Sequence, residues 1–508
     1  MVGVKTYSAE LFPTKPFNLD DFVPANDFYR FFNEHISLNF LYEEVKPYYG
    51  TTGNPSIDPV VFFKLLIVAA VEGISQVRKL MRRANDSYSI RLFLGYRHDE
   101  KLPDHSTLSK TRARLPKEIY DKLFNMILRL AMDHGLIEGS HLSVDSTLVK
   151  ANASKHSIEP VTLSIDSSEL LGILDAEMLA ENKASQVNTQ DIQETINDEE
   201  KKIVSESQRN SKKKKEVVSR GDVEAKSAKN NSHKFDFYYK VQMVTDSKKG
   251  IIIDAESYAA NTGDNHLLLE AVQRSDNLLN ELGCSLSEVS ADMGYFSGKN
   301  IRELQAKGIT AFIPRHKSVS TLKEFNKGDF RYDEVNDHFI CPNNKILKRK
   351  GKHQDGSYYS AKKSDCKNCP LREKCTDSKA GRTLLKNEYE HEFEIIEKRM
   401  KTPAAKKAAK IRRTNAERVF AEAKEHRGMR KLFCKGLDKA SKNSVLIASA
   451  MNLLKIFKAI KRPKKVNIAQ KSDFKGHLLE KFYIIARLIK RRTHIYDKDS
   501  YFGVCCTF

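Results

Sequence analysis

The chain has no uninterrupted apolar run of the roughly 20 residues that a membrane span needs. Its most apolar stretch, VVFFKLLIVAAVEG from Val60 to Gly73, is shorter and carries Lys64. No cationic segment leading into an apolar one opens the sequence, so export is not expected and a cytoplasmic location is. Cysteine is scarce: 8 in 508 residues cannot make a disulfide scaffold, and they read as reduced thiols, some available to a metal. Acidic residues are in short supply too, 66 Asp and Glu against 87 Lys and Arg, which leaves a formal net charge of +21. Such a surface attracts DNA, RNA or anionic lipid. With no span in sight, nucleic acid is the stronger reading and no membrane partner is expected.

The length allows two to four domains with a sizeable core, and no internal repeat is visible. Residues 1–54 read as an amino-terminal arm, broken by Pro13, Pro16, Pro24 and Pro47. Residues 55–136 read as a helical array. Asp58-Pro59 is a helix start, Gly73 a stop, Ser75 a cap for QVRKLMRRAN, and Gly95 the end of SYSIRLFLG. Asp104 or Ser106 caps a helix carrying Lys110, Arg112 and Arg114, and a longer amphipathic helix closes at Gly135. Short helices ending in a basic one suggest a helix-turn-helix-like DNA-binding domain, or else a plain bundle with a solvated basic face.

At residue 140 the pattern changes to alternating β-formers in HLSVDSTLV. Residues 155–232 are a polar, charged insertion with a lysine run at Lys212–Lys215, best read as solvated. Residues 137–154 and 233–317 then give strand, strand, strand, helix, strand, helix, strand, with a hairpin turning at Ser247–Gly250. This is an α/β class with a mixed sheet covered by helices. Residues 318–400 are a weakly patterned, Cys-containing insertion. Residues 401–460 are helical and basic, and 461–508 form a basic tail with an amphipathic helix at 475–492.

Three acidic residues stand in distinct settings. Asp145 lies in a strand, and Asp292 ends another strand just before Gly294. Ligand sites in α/β sheets gather at strand carboxyl ends, although Asp and Gly also serve ordinary turns. On a helix through 411–425, Ala416, Val419, Phe420 and Ala423 form a core stripe. Glu417 and Lys424, seven apart, are nearly in line, and Arg413 lies one turn before Glu417. Singly, these also read as turn residues and a solvated charged face.

Together, VDSTLVKANAS, ADMGYFSGKNIRELQAKGITAFIP and RRTNAERVFAEAK resemble the DDE transposases of bacterial insertion sequences, in the group with a Tyr-Arg-Glu-Lys signature around the Glu. LPDHSTLSKTRARL resembles the amino-terminal domain of the same proteins. The resemblance covers roughly residues 40–155 and 233–455, with Lys410 standing where the signature has Tyr. It implies a ribonuclease-H-like core and a catalytic metal triad of Asp145, Asp292 and Glu417 holding two Mg²⁺ or Mn²⁺ ions. It also implies DNA-phosphate contacts from Arg413 and Lys424, and an enzyme that nicks the ends of its element and joins the freed 3′-hydroxyl to target DNA. The partners would be double-stranded DNA (terminal inverted repeats and target) and a second copy of the chain, as a homodimer or larger. The alternatives are an inactive or domesticated sequence-specific DNA-binding descendant, and a metal nuclease that cuts without joining.

Two further signals are weaker. Cys341, Cys366, Cys369 and Cys375 contain one CxxC pair and read either as a Cys₄ structural Zn²⁺ site or as four reduced thiols. The window 401–431 holds eleven Lys and Arg against three Glu, a charge excess suited to bringing a duplex to Glu417.

Overall fold

The computed structural model describes residues 18–50, 56–154, 158–161, 216–229, 235–315, 324–353 and 356–461. Lys212–Lys215, the 475–492 helix, Cys505 and Cys506 lie outside the described residues. By its internal contacts the chain divides into residues 1–457 and 458–508.

The amino-terminal part is all helical. Helices α1 (Phe28–His35) and α2 (Phe40–Val45) fall within the stretch read as an arm. Phe32 and Leu41 are fully buried, so these short helices belong to the helical core. They are followed by α3 (Pro59–Glu72), α4 (Val77–Asn85), α5 (Tyr88–Leu94), α6 (His105–Arg114) and α7 (Lys117–Asp133). The start of α3 is as the sequence predicts: the Asp58 carboxylate accepts from the N–H groups of Val60 and Val61, and Pro59 occupies the first turn. Gly73 closes α3 in the left-handed conformation at φ 67°. Ser75 does not cap α4. Gln76 holds that position without a side-chain bond, and Ser75 Oγ lies against Gly428 instead. Asp104, not Ser106, caps α6. Nine of the 14 residues of α3 are buried, which makes it the centre of this layer.

The central sheet is built around β1 (His141–Lys150). Chain order continues with β2 (Ile158–Val161), β3 (Glu216–Ser219), β4 (Lys226–Lys229), β5 (Phe235–Asp246), β6 (Ile252–Ala259), β7 (Glu288–Ser290) and β8 (Thr310–Phe312). Strands β2 and β3 make a separate two-stranded ladder at the described edges of the polar insertion. Across the main sheet the order is β6-β5-β1-β7-β8, with β4 pairing the first residues of β5. The pairs β6–β5 and β5–β1 are antiparallel; β1–β7 and β7–β8 are parallel. Parallel neighbours need crossovers, supplied by α8 (Asp264–Glu281) before β7 and α9 (Gly298–Ala306) before β8.

A second sheet, five-stranded and antiparallel, occupies the weakly patterned insertion: β9 (Arg331–Asp333), β10 (His338–Ile340), β11 (Ile346–His353), β12 (Gly356–Ala361) and β13 (Thr383–Asn387). Two short helical segments, α10 (Lys363–Lys367) and α11 (Arg372–Cys375), sit between β12 and β13. The chain then returns through α12 (Glu390–Arg399) and α13 (Pro403–Arg412). A π turn (Arg413–Glu417) leads into α14 (Arg418–His426), and the long α15 (Leu437–Lys461) follows. By length and composition α15 would pass for a bilayer span, yet 61% of its apolar window is buried inside the protein. Asn452 fixes it to β6 by donating to the Ile252 carbonyl and accepting from the Ile252 N–H, at 2.8 and 2.9 Å.

Candidate active site

Asp145 sits mid-way along the central strand, where burial changes from full to partial. Its Oδ1 accepts from the Ser146 N–H at 2.9 Å. Asp292 follows β7, the parallel neighbour of β1, and caps a single tight turn, Met293–Tyr295, by accepting from the Gly294 N–H at 2.9 Å. Tyr295 anchors that turn by complete burial. Asn300 braces it from α9 by donating to the carbonyls of Tyr295 and Asn265. A fourth carboxylate, Asp264 at the start of α8, lies beside the turn: a carbon added at Gly294 would be 3.1 Å from both Asp264 Oδ2 and Asp292 Oδ1. Lys240 Nζ and Ser146 Oγ each donate to Asp264 Oδ1 at 2.8 Å. That pairing offsets the charge of Asp264, whereas the cation nearest Asp145 is the Arg412 guanidinium.

Glu417 arrives on the helical segment that runs from α13 through the π turn into α14. Ala405 and Ala408 of α13 pack on Phe312, and Ala416, Val419, Phe420 and Ala423 are buried, as the stripe predicts. The turn is pinned from below by Asn415, whose amide donates to the carbonyls of Asp246 and Ser247 at the β5–β6 hairpin. A π turn closes over five residues instead of four, so the residue stacked on Glu417 is the one five positions earlier. Arg412 Nη2 donates to Glu417 Oε1 at 3.2 Å, and Arg412 Nη1 stands 3.8 Å from Asp145 Oδ2. Arg413, which regular helical spacing places beside Glu417, is exposed. Lys424 Nζ donates to Thr147 Oγ1 at 2.5 Å, two residues along β1 from Asp145.

The electrostatics of Asp145 reflect its neighbours. Burial pushes the Asp145 carboxyl up to about 6; the Ser146 N–H and Arg412 pull the other way, and Asp292 and Glu417 push it higher still. Lys424 is lowered by burial and by Arg430, while Asp145 holds it up. Asp145 thus feels both other acids, a clustered negative charge with one guanidinium across it. Among the described residues, no three His, Cys, Asp or Glu side chains stand close enough together to hold an ion as they are placed.

Residues 340–457, which contain Glu417, match the family described as "Transposase DDE domain", and residues 17–114 match "Transposase domain (DUF772)". The two matches support a DDE transposase of insertion-sequence type. Asp145 and Asp292 lie outside both matched segments. No curated protein matches the chain. A solved structure, a cryo-EM piggyBac transposase synaptic complex with hairpin DNA, is similar at 10% identity over 88% of this chain and 84% of that one. Its TM-score of 0.26 is too low to carry an argument.

The other expected site residues of the transposase divide. Lys110 on α6 is exposed. Arg114 is exposed and stacks over Tyr49, 5.7 Å from the ring centre. Arg112 is half-buried and lines a cavity with Leu66, Phe433 and Cys434, so it faces the loop after α14. Lys410 is exposed in the last turn of α13, its carbonyl accepting from Thr414 Oγ1. Cys341, Cys366, Cys369 and Cys375 are unpaired and border one cavity. Sequence reasoning missed Arg412, Asn415, Ser146, Lys240 and Asp264. Only Arg412 had a visible signal, the doubled arginine before Glu417.

Proposed function

We propose that this transposase nicks DNA at the ends of an insertion sequence and joins the freed 3′-hydroxyl to target DNA, using Asp145, Asp292 and Glu417 on a ribonuclease-H-like core. The strand order β6-β5-β1-β7-β8, antiparallel on one side of β1 and parallel on the other, supports that core. The observation that carries the reading is Arg412 standing across Asp145 and Glu417, with Asp292 at the end of the parallel strand next to that of Asp145.

An all-oxygen donor set of carboxylates suits Mg²⁺ or Mn²⁺, and two such ions would stabilise the attacking and leaving oxygens of an in-line displacement. The buried Asp145 carboxylate would gain most from a cation, and the three carboxylates would have to draw closer together to hold one. The protein's own groups do the rest. The Ser146 N–H fixes one oxygen of Asp145, the Gly294 N–H fixes one of Asp292, and Asn415 sets the height of the Glu417 turn. Lys424 is held next to Asp145 by Thr147 and can take a phosphate oxygen, as a point charge. Arg412 balances Asp145 and Glu417, and would be free to contact a DNA phosphate were cations to take its place there. Lys110, Arg114 and the 401–431 cations supply salt-sensitive attraction for the duplex, and pairing two ends calls for a dimer or larger assembly.

The test uses double-stranded oligonucleotides ending in the element's terminal repeats. Mg²⁺-dependent nicking followed by strand transfer is expected. Asp145→Ala, Asp292→Ala and Glu417→Ala should each abolish both steps and retain DNA binding. Full activity in the Asp292 variant would overturn the triad. Nicking without transfer would mark a nuclease, and binding alone a domesticated descendant.

A further inference from the structure

We infer that Cys341, Cys366, Cys369 and Cys375 bind one structural zinc ion that staples the second sheet. The need for a staple follows from size. The module from residue 324 to residue 387 has a core of only six buried side chains: Phe330, Phe339, Leu347, Tyr359, Ala361 and Leu384. A sheet of this size buries too little apolar surface to be rigid alone, and small modules of this kind are completed by disulfides or metal. Disulfides are absent here; all four thiols are free.

The four cysteines come from two separate stretches of the sequence and border one cavity, although no three of them yet stand close enough together to hold an ion. Cys341 sits at the turn between β10 and β11, where its N–H bonds the Lys345 carbonyl at 2.9 Å and its own carbonyl accepts from Asn344 at 2.8 Å. Asn344 takes the left-handed conformation at φ 54°, which folds the turn back on Cys341. Cys366, Cys369 and Cys375 come from the two short helical segments between β12 and β13. Cys341, Cys366 and Cys375 pack against the small core. All four line a single cavity of about 30 Å³, space for one small occupant.

Donors are already aimed at the sulfurs. The Lys345 N–H donates to Cys341 Sγ at 3.3 Å, and the Asn343 amide approaches Cys369 Sγ at 3.4 Å. Such bonds favour the thiolate, the form that binds metal. Arg372 and Arg382 secure the same segment by donating to the carbonyls of Cys366 and Cys375. A set of four thiolates, one pair spaced Cys-x-x-Cys, selects tetrahedral Zn²⁺. The sulfurs ring the cavity and do not yet meet at bonding distance from one point; each loses its proton to solvent and closes inward as the ion binds. The ion would sit in the wall of the module, lined by residues of the module alone.

The experiment uses the full chain purified without added metal or chelator. One zinc per chain by elemental mass spectrometry is expected, together with an intense thiolate-to-metal charge-transfer band after exchange with Co²⁺. Cys369→Ser should lose the zinc, and Cys434→Ser should keep it. A wild-type chain without zinc and without the Co²⁺ band would overturn the inference, even if the Cys369 variant misfolds. A disulfide among the four, or zinc retained in the Cys369 variant with an unchanged Co²⁺ spectrum, would overturn it equally.

Discussion

Asn in place of Asp145 should stabilise the metal-free protein while removing its chemistry. Asp145 ordinarily titrates near 3.8, and in the folded site burial first, then Asp292 and Glu417, raise it to about 6. Its side chain is 15% exposed, so solvent screens the effect little. A raised acid means that the folded state holds the proton more tightly than the unfolded chain. The associated stability is fully present below about pH 4 and is lost as pH climbs through about 6. Two units correspond to about 3 kcal/mol. Asp145→Asn keeps an oxygen for the Ser146 N–H and carries no charge to bury. Above pH 7 in EDTA the variant should therefore melt on the order of 5 °C higher than wild type. The gap should close on acidification to pH 4.5, and Mg²⁺ should raise the melting temperature of wild type but not of the variant. Thermal unfolding followed by dye fluorescence across this pH range measures all three. A variant that melts at or below the wild-type temperature at pH 7.5 in EDTA would show that Asp145 is not the strained, cation-seeking group described here.

The π turn separates two neighbouring arginines. Removing Arg412 frees Asp145 and Glu417 from a competing cation, so Arg412→Ala should lower the Mg²⁺ concentration for half-maximal nicking about two- to fivefold, the equivalent of 0.5–1 kcal/mol for a partly exposed pair. Arg413→Ala should leave it unchanged, and the opposite ranking would refute the register. Asn452→Ala leaves both buried polar groups of Ile252 without their side-chain partner and should cost about 2–4 kcal/mol in urea unfolding; a loss under 0.5 kcal/mol would contradict that pairing. Gly73→Ala should cost more than about 1 kcal/mol, because φ is 67° and the new carbon would lie 2.5 Å from the His426 carbonyl oxygen. Differential scanning fluorimetry tests it, and a neutral result would mean that α3 and the end of α14 are not in contact.

Much of the fold was legible because its signals are local. The Asp58-Pro59 start, the glycine stops at Gly73 and Gly95, and the run of β-formers in β1 all act within a few residues. The second sheet was not legible. Among the described side chains of β11 only Leu347 is buried, with Lys348, Arg349 and Lys350 all exposed, so no two-residue period marks it as a strand. The short helices α1 and α2 were hidden for another reason: Pro24 and Pro47 lie just outside them and read as breakers of the whole stretch. Within the site, strand-end position and spacing pointed to three acids. The cations around them were harder, because Lys240 and Asp264 are joined only by the folding of β5 against α8.

The π turn also bears on how such sequences are aligned. A signature written as an Arg four positions before a Glu counts positions along the chain, whereas the site is sensitive to angle around the helix axis. One residue added by a π turn changes the count and preserves the facing surface on either side. Two relatives that differ by a single insertion between residues 412 and 417 can therefore present the same guanidinium to the same carboxylates, though a gap-free comparison would pair different arginines.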